Sequence, residues 1–191
     1  MGLDSVELLV SFENYFNIRI SDLEAEKIGS VGEMVNCVSK HLNITNQDES
    51  LKQDFFEKLK STLIQNELAD KSLSYTDRIF SILDPDNKET WAKISKQLDL
   101  RIPQPFREAD TFLKKVFFSG WRPKYNWKDV SVDQFITAIC ADNYEKFIDP
   151  KSFKTKYEIL VAITAITSDK LGLDVYEVQP EKQFAEDFGI D

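Results

Sequence analysis

Apolar residues recur at helical spacing along most of the chain. Between residues 5 and 16, Leu8, Leu9, Phe12, Tyr15 and Phe16 fall three and four apart, which predicts a helix with one buried face. Glu7, Glu13 and Asn14 are expected on its other side. After a link in which Ile18 and Ile20 alternate, Ser21 or Asp22 caps a short acidic helix in SDLEAEKI, and Gly29 ends it. Ser30 caps the next helix with Glu33 at capping-box spacing, and Val31, Met34, Val35, Val38 and Leu42 form its apolar stripe.

Polar residues 43–50 read as a linker, after which LKQDFFEKLKSTLIQNEL and YTDRIFSIL are predicted helices. DPDN at 84–87 is a turn and helix start, 90–98 is helical, LRIPQPF is extended, and EADTFLKKVFFSGW is a helix ended by Gly120. Residues 132–140 form another helix, with Phe135, Ile136 and Ile139 on one side. A linker around 149–154 leads into a helix reaching about Leu171, followed by a long loop. With no sustained alternating runs, the pattern predicts an all-α chain of short helices in small bundles.

Composition changes this picture little and charge changes it more. Of 191 residues, 42% are hydrophobic and 12% aromatic, enough for a packed core. The net charge of −9 argues against nucleic-acid binding, which needs a basic stripe, and points to basic partners. The charge is also unevenly placed. Residues 1–43 hold 7 acidic and 3 basic side chains and 155–191 hold 8 and 3, whereas 44–154 hold 18 of each. The whole excess therefore lies at the two ends. No apolar run approaches the roughly 20 residues of a membrane span, and the N-terminus lacks the regions of a secretion signal, so a cytoplasmic location is expected. Cys37 and Cys140 have no zinc-type spacing and read as buried thiols, so no metal is expected. His41 is the only histidine and reads as surface or boundary structure. With no hydrolase-type glycine motif around Ser5 and no cysteine beside a base, no enzyme is expected. Trp91, Trp121 and Trp127 lie in the neutral middle and read as core or interface.

The opening carries a more specific signal. Asp4, Ser5 and Val6, followed by Glu7, Leu8 and Leu9 and then by FNIRISDLEAEKIGSVGEMV, resemble the acyl carrier proteins in residue type and order over some forty positions. The part of that family that normally precedes the serine is similar to the other end of the chain. YEILVAITAITSDKLGLD resembles its first helix, and VYEVQPEKQFAEDFGID resembles the loop running into the serine. The resemblance therefore implies a four-helix carrier-like bundle assembled from 1–43 and 155–191 in circularly permuted order. Its halves would pair either within one chain or between two in a swapped homodimer. Gly189, Ile190 and Asp191 look like a second copy of Gly2, Leu3 and Asp4, as trimming of tandem carriers would leave.

The middle echoes this unit. NIRIS at 17–21 aligns with DLRIP at 99–103, which sets Gly2, Leu3, Asp4 and Ser5 over Asp84, Pro85, Asp86 and Asn87. DVSVDQFITAICADNY resembles GSVGEMVNCVSKHL. A second, degenerate carrier-like bundle is therefore expected over 51–150, with asparagine in the place of the serine.

By resemblance, Ser5, beside Asp4, is the attachment site of covalent 4′-phosphopantetheine, delivered from coenzyme A by a phosphopantetheinyl transferase. The arm would carry acyl groups as thioesters to acyl-transfer and synthase enzymes, as in fatty acid or polyketide biosynthesis. Glu7, Glu13, Asp22, Glu24 and Glu26 would meet basic patches on those partners. The residues themselves leave other readings open. Ser5 or Asp4 can be a plain helix cap, the acidic excess can be solvation, and the bundle can be an unmodified interaction module. Likewise Ile159, Leu160, Ile163 and Ile166 with Leu9, Phe12, Phe16, Val35 and Val38 can be simple core or can open to shelter an acyl chain.

Overall fold

The structure is a computed structural model that describes residues 3–103 and 127–190, with the backbone alone at 3, 4 and 127. The helix expected at 108–121, part of the extended stretch before it, the tripeptide copies at Gly2 and Asp191, and the side chains of Asp4, Trp121 and Trp127 lie outside what is described. Eight α-helices are present among the described residues: α1 Leu3–Phe16, α2 Asp22–Ala25, α3 Val31–His41, α4 Ser50–Gln65, α5 Lys88–Leu98, α6 Val132–Asp142, α7 Lys156–Leu171 and α8 Phe184–Phe188. The only β pairing there is two isolated bridges, so the chain is all-α.

Five helices stop in the same way. Asn17, Asn43, Glu67, Asp99 and Gly172 take left-handed backbone angles after α1, α3, α4, α5 and α7. The next residue in each case is Ile18, Ile44, Leu68, Leu100 or Leu173, and its N–H donates to a carbonyl five residues back at 2.8–3.2 Å. This closes the last turn, satisfies an otherwise orphaned carbonyl and turns an aliphatic side chain inward.

The helices enclose two apolar clusters. Leu8, Phe12 and Phe16 of α1, Val31, Met34 and Val38 of α3, and Ile159, Ile163 and Ile166 of α7 form one, completed by Val178, Phe184 and Phe188. Leu59 and Leu63 of α4, Trp91, Ile94 and Leu98 of α5, and Phe135, Ile136 and Ile139 of α6 form the other. Tyr157 and Val161 of α7 and Tyr176 join the second cluster too. Thus α7 packs against α1 and α3 on one side and α4 and α6 on the other, and its sequence is apolar nearly all round because both sides are buried.

A short backbone pairing fastens each cluster. Ser30 bridges Gln183, with Val31 N–H donating to Lys182 O at 3.0 Å, Gly32 N–H to Pro180 O at 2.8 Å and Phe184 N–H to Gly29 O at 2.8 Å. Arg78 bridges Ser131 in the same register, with Val132 N–H donating to Asp77 O at 2.8 Å, Asp133 N–H to Tyr75 O at 3.0 Å and Ile79 N–H to Val130 O at 3.1 Å. The bridging serine then opens a capping box in both places, Ser30 with Glu33 and Ser131 with Gln134. One position differs. A Cβ at Gly32 would stand 3.0 Å from Pro180 O, a tight contact with backbone, whereas its counterpart Asp133 carries a side chain that pairs with Lys52 Nζ at 2.6 Å.

Two predicted elements are corrected. YTDRIFSIL is not an α-helix: only Ile79–Ser81 turns, as a 3-10 segment, because residues 77 and 79 spend their backbone groups on the bridge to 130 and 132. The final loop is not wholly irregular, since α8 interrupts it and buries Phe184 and Phe188.

Candidate functional site

Helix α1 begins at Leu3, which places Ser5 inside its first turn rather than at the cap position expected for Asp4 or Ser5. First-turn N–H groups lack intrahelical partners, and the positive end of the helix dipole favours an anion there. One turn further on, the buried face begins with Leu8 and continues through Phe12 and Phe16.

Ser5 stands on the wall of a cavity of about 300 Å³. Leu8, Leu9 and Phe12 extend the wall along α1, Ala25, Ile28 and Met34 close a second side, and Phe184, Ala185 and Ile190 close the third. Residues from both ends of the chain are therefore needed to form it. Apart from Ser5, Gln183 and Glu186 the walls are apolar, and the volume is at the small end of the roughly 300–1,000 Å³ usual for small-molecule sites. Val6, Val10 and Leu23 are exposed on the nearby surface, the last at 71%.

The acidic residues divide. Glu7, Asp22 and Glu26 are exposed and Glu24 is half-buried. Glu13 is not on the solvent face as periodicity predicts; it is 8% exposed. The chain turns back over that side of α1 at residues 17–20, so Ile20 N–H donates to Glu13 Oε1 at 2.8 Å and Arg19 pairs with Oε2 at 3.1 Å. Glu13 therefore anchors the turn and does not belong to the exposed acidic surface.

Glu24 is fixed from one side. The Ser21 hydroxyl and N–H both donate to its Oε2, at 2.9 and 3.2 Å, and these bonds hold its carboxyl below the usual range. Its other oxygen faces His41 Nε2 at 3.3 Å. Cys37 lies one turn before His41, and burial, reinforced by the Glu24 charge, pushes its thiol pKa up. Periodicity does not bring this cluster together, since Glu24 reaches the other two only through the turn between α2 and α3. The spacing of four between Cys37 and His41 on one helix was its only legible trace. Cys140 is buried and also free, and burial pushes its pKa up to about 12. Trp91 is buried core, its indole N–H donating to Asp84 O at 2.9 Å.

No helix among the described residues is long and apolar enough to cross a membrane. No protein-family model matches the chain, and no solved structure matches it. It is 49% identical over 40 residues to an acyl carrier protein of Clostridium acetobutylicum, which is 21% of this chain and 52% of that protein. It is likewise 49% identical over 42 residues to an acyl carrier protein of Cyanidium caldarium, 22% of this chain and 49% of that one. The chain spans about half the length of the curated relatives it matches, and it contains an acyl-carrier-like region.

Proposed function

We propose that this protein is an acyl carrier whose carrier unit is built from residues 1–43 and 155–191 in circularly permuted order, with 4′-phosphopantetheine on Ser5. The observation that carries this reading is the position of Ser5. It lies in the first turn of the helix, on the wall of an apolar cavity that both chain ends line together. The roughly 40-residue likeness to carrier proteins supports it independently.

The group fits the residues present. Loading uses the Ser5 hydroxyl: Ser5 Oγ attacks the β-phosphorus of coenzyme A on the transferase, a P–O bond forms, and the bond to the departing 3′,5′-ADP breaks. The serine proton passes to a base of the transferase. The N-terminus of α1 would hold the resulting phosphodiester anion in its favourable field. Once attached, the arm supplies a thiol for thioester chemistry. Glu7, Asp22 and Glu26 attract basic docking patches, and the exposed Val6, Val10 and Leu23 offer apolar contact beside them.

The second reading is an unmodified interaction module, and the middle unit favours it locally. Residues 51–150 make the same bridge and capping-box pattern, yet Asn87 caps α5 through its side-chain oxygen, accepting from Thr90 N–H at 3.1 Å. We read this region as a degenerate carrier-like bundle that takes no prosthetic group. The test is intact-mass spectrometry after incubation with coenzyme A and a broad-specificity phosphopantetheinyl transferase. One phosphopantetheine should be gained by the native chain and none by Ser5→Ala. An unmodified native chain beside a competent control carrier would leave the interaction module as the function.

A further inference from the structure

Three donors of different elements converge where α2 meets the end of α3. Cys37 and His41 are one turn apart on α3 and project from the same face. Glu24 approaches from α2, and the carboxylate, thiol and imidazole donor atoms all lie within 4.8 Å of one another. His41 Nε2 is closed off from solvent and, though 3.3 Å from Glu24 Oε1, is not aligned for a hydrogen bond and has no other partner. A shielded ring nitrogen whose only neighbour is a carboxylate oxygen out of line for a hydrogen bond is poorly satisfied, and a cation held between the two would satisfy both.

We propose that Glu24 Oε1, Cys37 Sγ and His41 Nε2 bind one zinc ion. The donor set selects the metal class. Calcium and magnesium take oxygen ligands, whereas sulfur, nitrogen and oxygen together suit zinc, with bonds of about 2.0–2.3 Å in a tetrahedron. Such bonds hold donors about 3.5 Å apart, so the present cluster needs to close by about an ångström, within reach of side-chain rotation. Glu24 is oriented in advance, because Ser21 holds Oε2 and leaves Oε1 turned toward the pair on α3. Water completes the fourth position, and the Cys37 proton leaves to solvent as the thiolate binds.

The ion would clip α2 to α3. Ala25 and Ile28, one and four residues after Glu24, and Met34, three before Cys37, all line the cavity below Ser5. Zinc would therefore fix that side of the cavity in its closed arrangement; this consequence, unlike the site itself, rests on the carrier reading.

The experiment uses the full chain, reduced and freed of metal, titrated with zinc by calorimetry and with cobalt by absorption spectroscopy. One zinc per chain should bind, and cobalt should give a thiolate charge-transfer band with tetrahedral d–d bands. Cys37→Ser should lose the charge-transfer band and at least tenfold in affinity, and His41→Gln and Glu24→Gln should each lose at least tenfold. All three variants are checked for unchanged helicity, and Ser5→Ala should bind zinc as the native chain does. Absence of saturable binding in the native chain, or undiminished binding in folded Cys37→Ser and His41→Gln, would overturn the site. Neither result depends on whether Ser5 is loaded.

Discussion

The two halves of this molecule use one fastening for different ends. Around Ser5, a loop pairs with the start of α3 through Ser30 and Gln183, and around Asn87 another loop pairs with the start of α6 through Ser131 and Arg78. The register of backbone bonds is the same, but the helix that follows the loop differs. At α1 the first turn carries a serine beside an apolar cavity, with Glu7 exposed. At α5 the counterpart is Asn87, which precedes the helix and spends its side chain as a cap, with Lys88 and Glu89 following. Thus a scaffold alone does not make a carrier. What separates the two is a hydroxyl inside the first helical turn, on the wall of an apolar cavity, against an amide spent as a cap just before the helix.

The comparison is most severely tested at α7, which both clusters share. Ile159 faces the cluster containing α1 and Val161 the one containing α4 and α6, and both are fully buried. Ile159→Ala should cost about 2–5 kcal/mol. Because α7 carries both clusters, calorimetry should still show one transition, displaced downward. Two transitions, with the second unmoved, would mean that the halves fold independently.

Next in size is the position where the two fastenings differ. Gly32→Ala puts a methyl group 3.0 Å from Pro180 O and should cost about 1–3 kcal/mol in denaturant unfolding, with faster exchange of the Phe184 amide. Asp133, its counterpart, already has room for a side chain, so Asp133→Ala should lose mainly the pair with Lys52, about 1 kcal/mol.

The capping boxes differ in chemistry as well. Gly29 and Ser30 N–H groups donate to the Glu33 carboxylate and hold its pKa below the usual range. A depressed carboxyl stabilises the fold above its unfolded pKa, and this contribution disappears as pH falls through the lower folded value. Gln134, in the same role at α6, does not titrate. On acidification below the ordinary carboxylate range, hydrogen exchange should therefore rise first at the start of α3 and later at α6. Glu33→Gln should remove that difference.

The smallest effect is expected at Glu67, which occupies a left-handed position that α7 fills with Gly172. Glu67→Gly should stabilise the chain by about 0.5–1 kcal/mol, read from the denaturation midpoint.

Much of the helical order was legible because short helices with strong caps leave local signals, as at Ser30 with Glu33 and at Asn17 after α1. The errors arose where distant backbone intervened. Residues 75–83 have helical spacing of apolar groups, yet their N–H and C=O groups are claimed by residues 130–133. Glu13 lies on the polar side of α1 by periodicity, yet the returning chain at Ile20 covers it. Similarly, the first helix turn extends ahead of Ser5, and α8 is too short to register as a period. The cavity depends on segments from the two ends of the chain, and the cluster of Glu24, Cys37 and His41 on the turn that folds α2 against α3. No spacing rule within one segment could assemble them.

The difference between the two halves is tested most directly by intact-mass spectrometry of three proteins after incubation with coenzyme A and transferase. The native chain should gain one phosphopantetheine, Ser5→Ala none, and the double variant Ser5→Ala/Asn87→Ser none, since residue 87 stands at the cap of α5 rather than inside the first turn of the helix, where Ser5 stands on the wall of its cavity. Failure of the native chain to gain mass, or loading of the double variant at residue 87, would contradict the account.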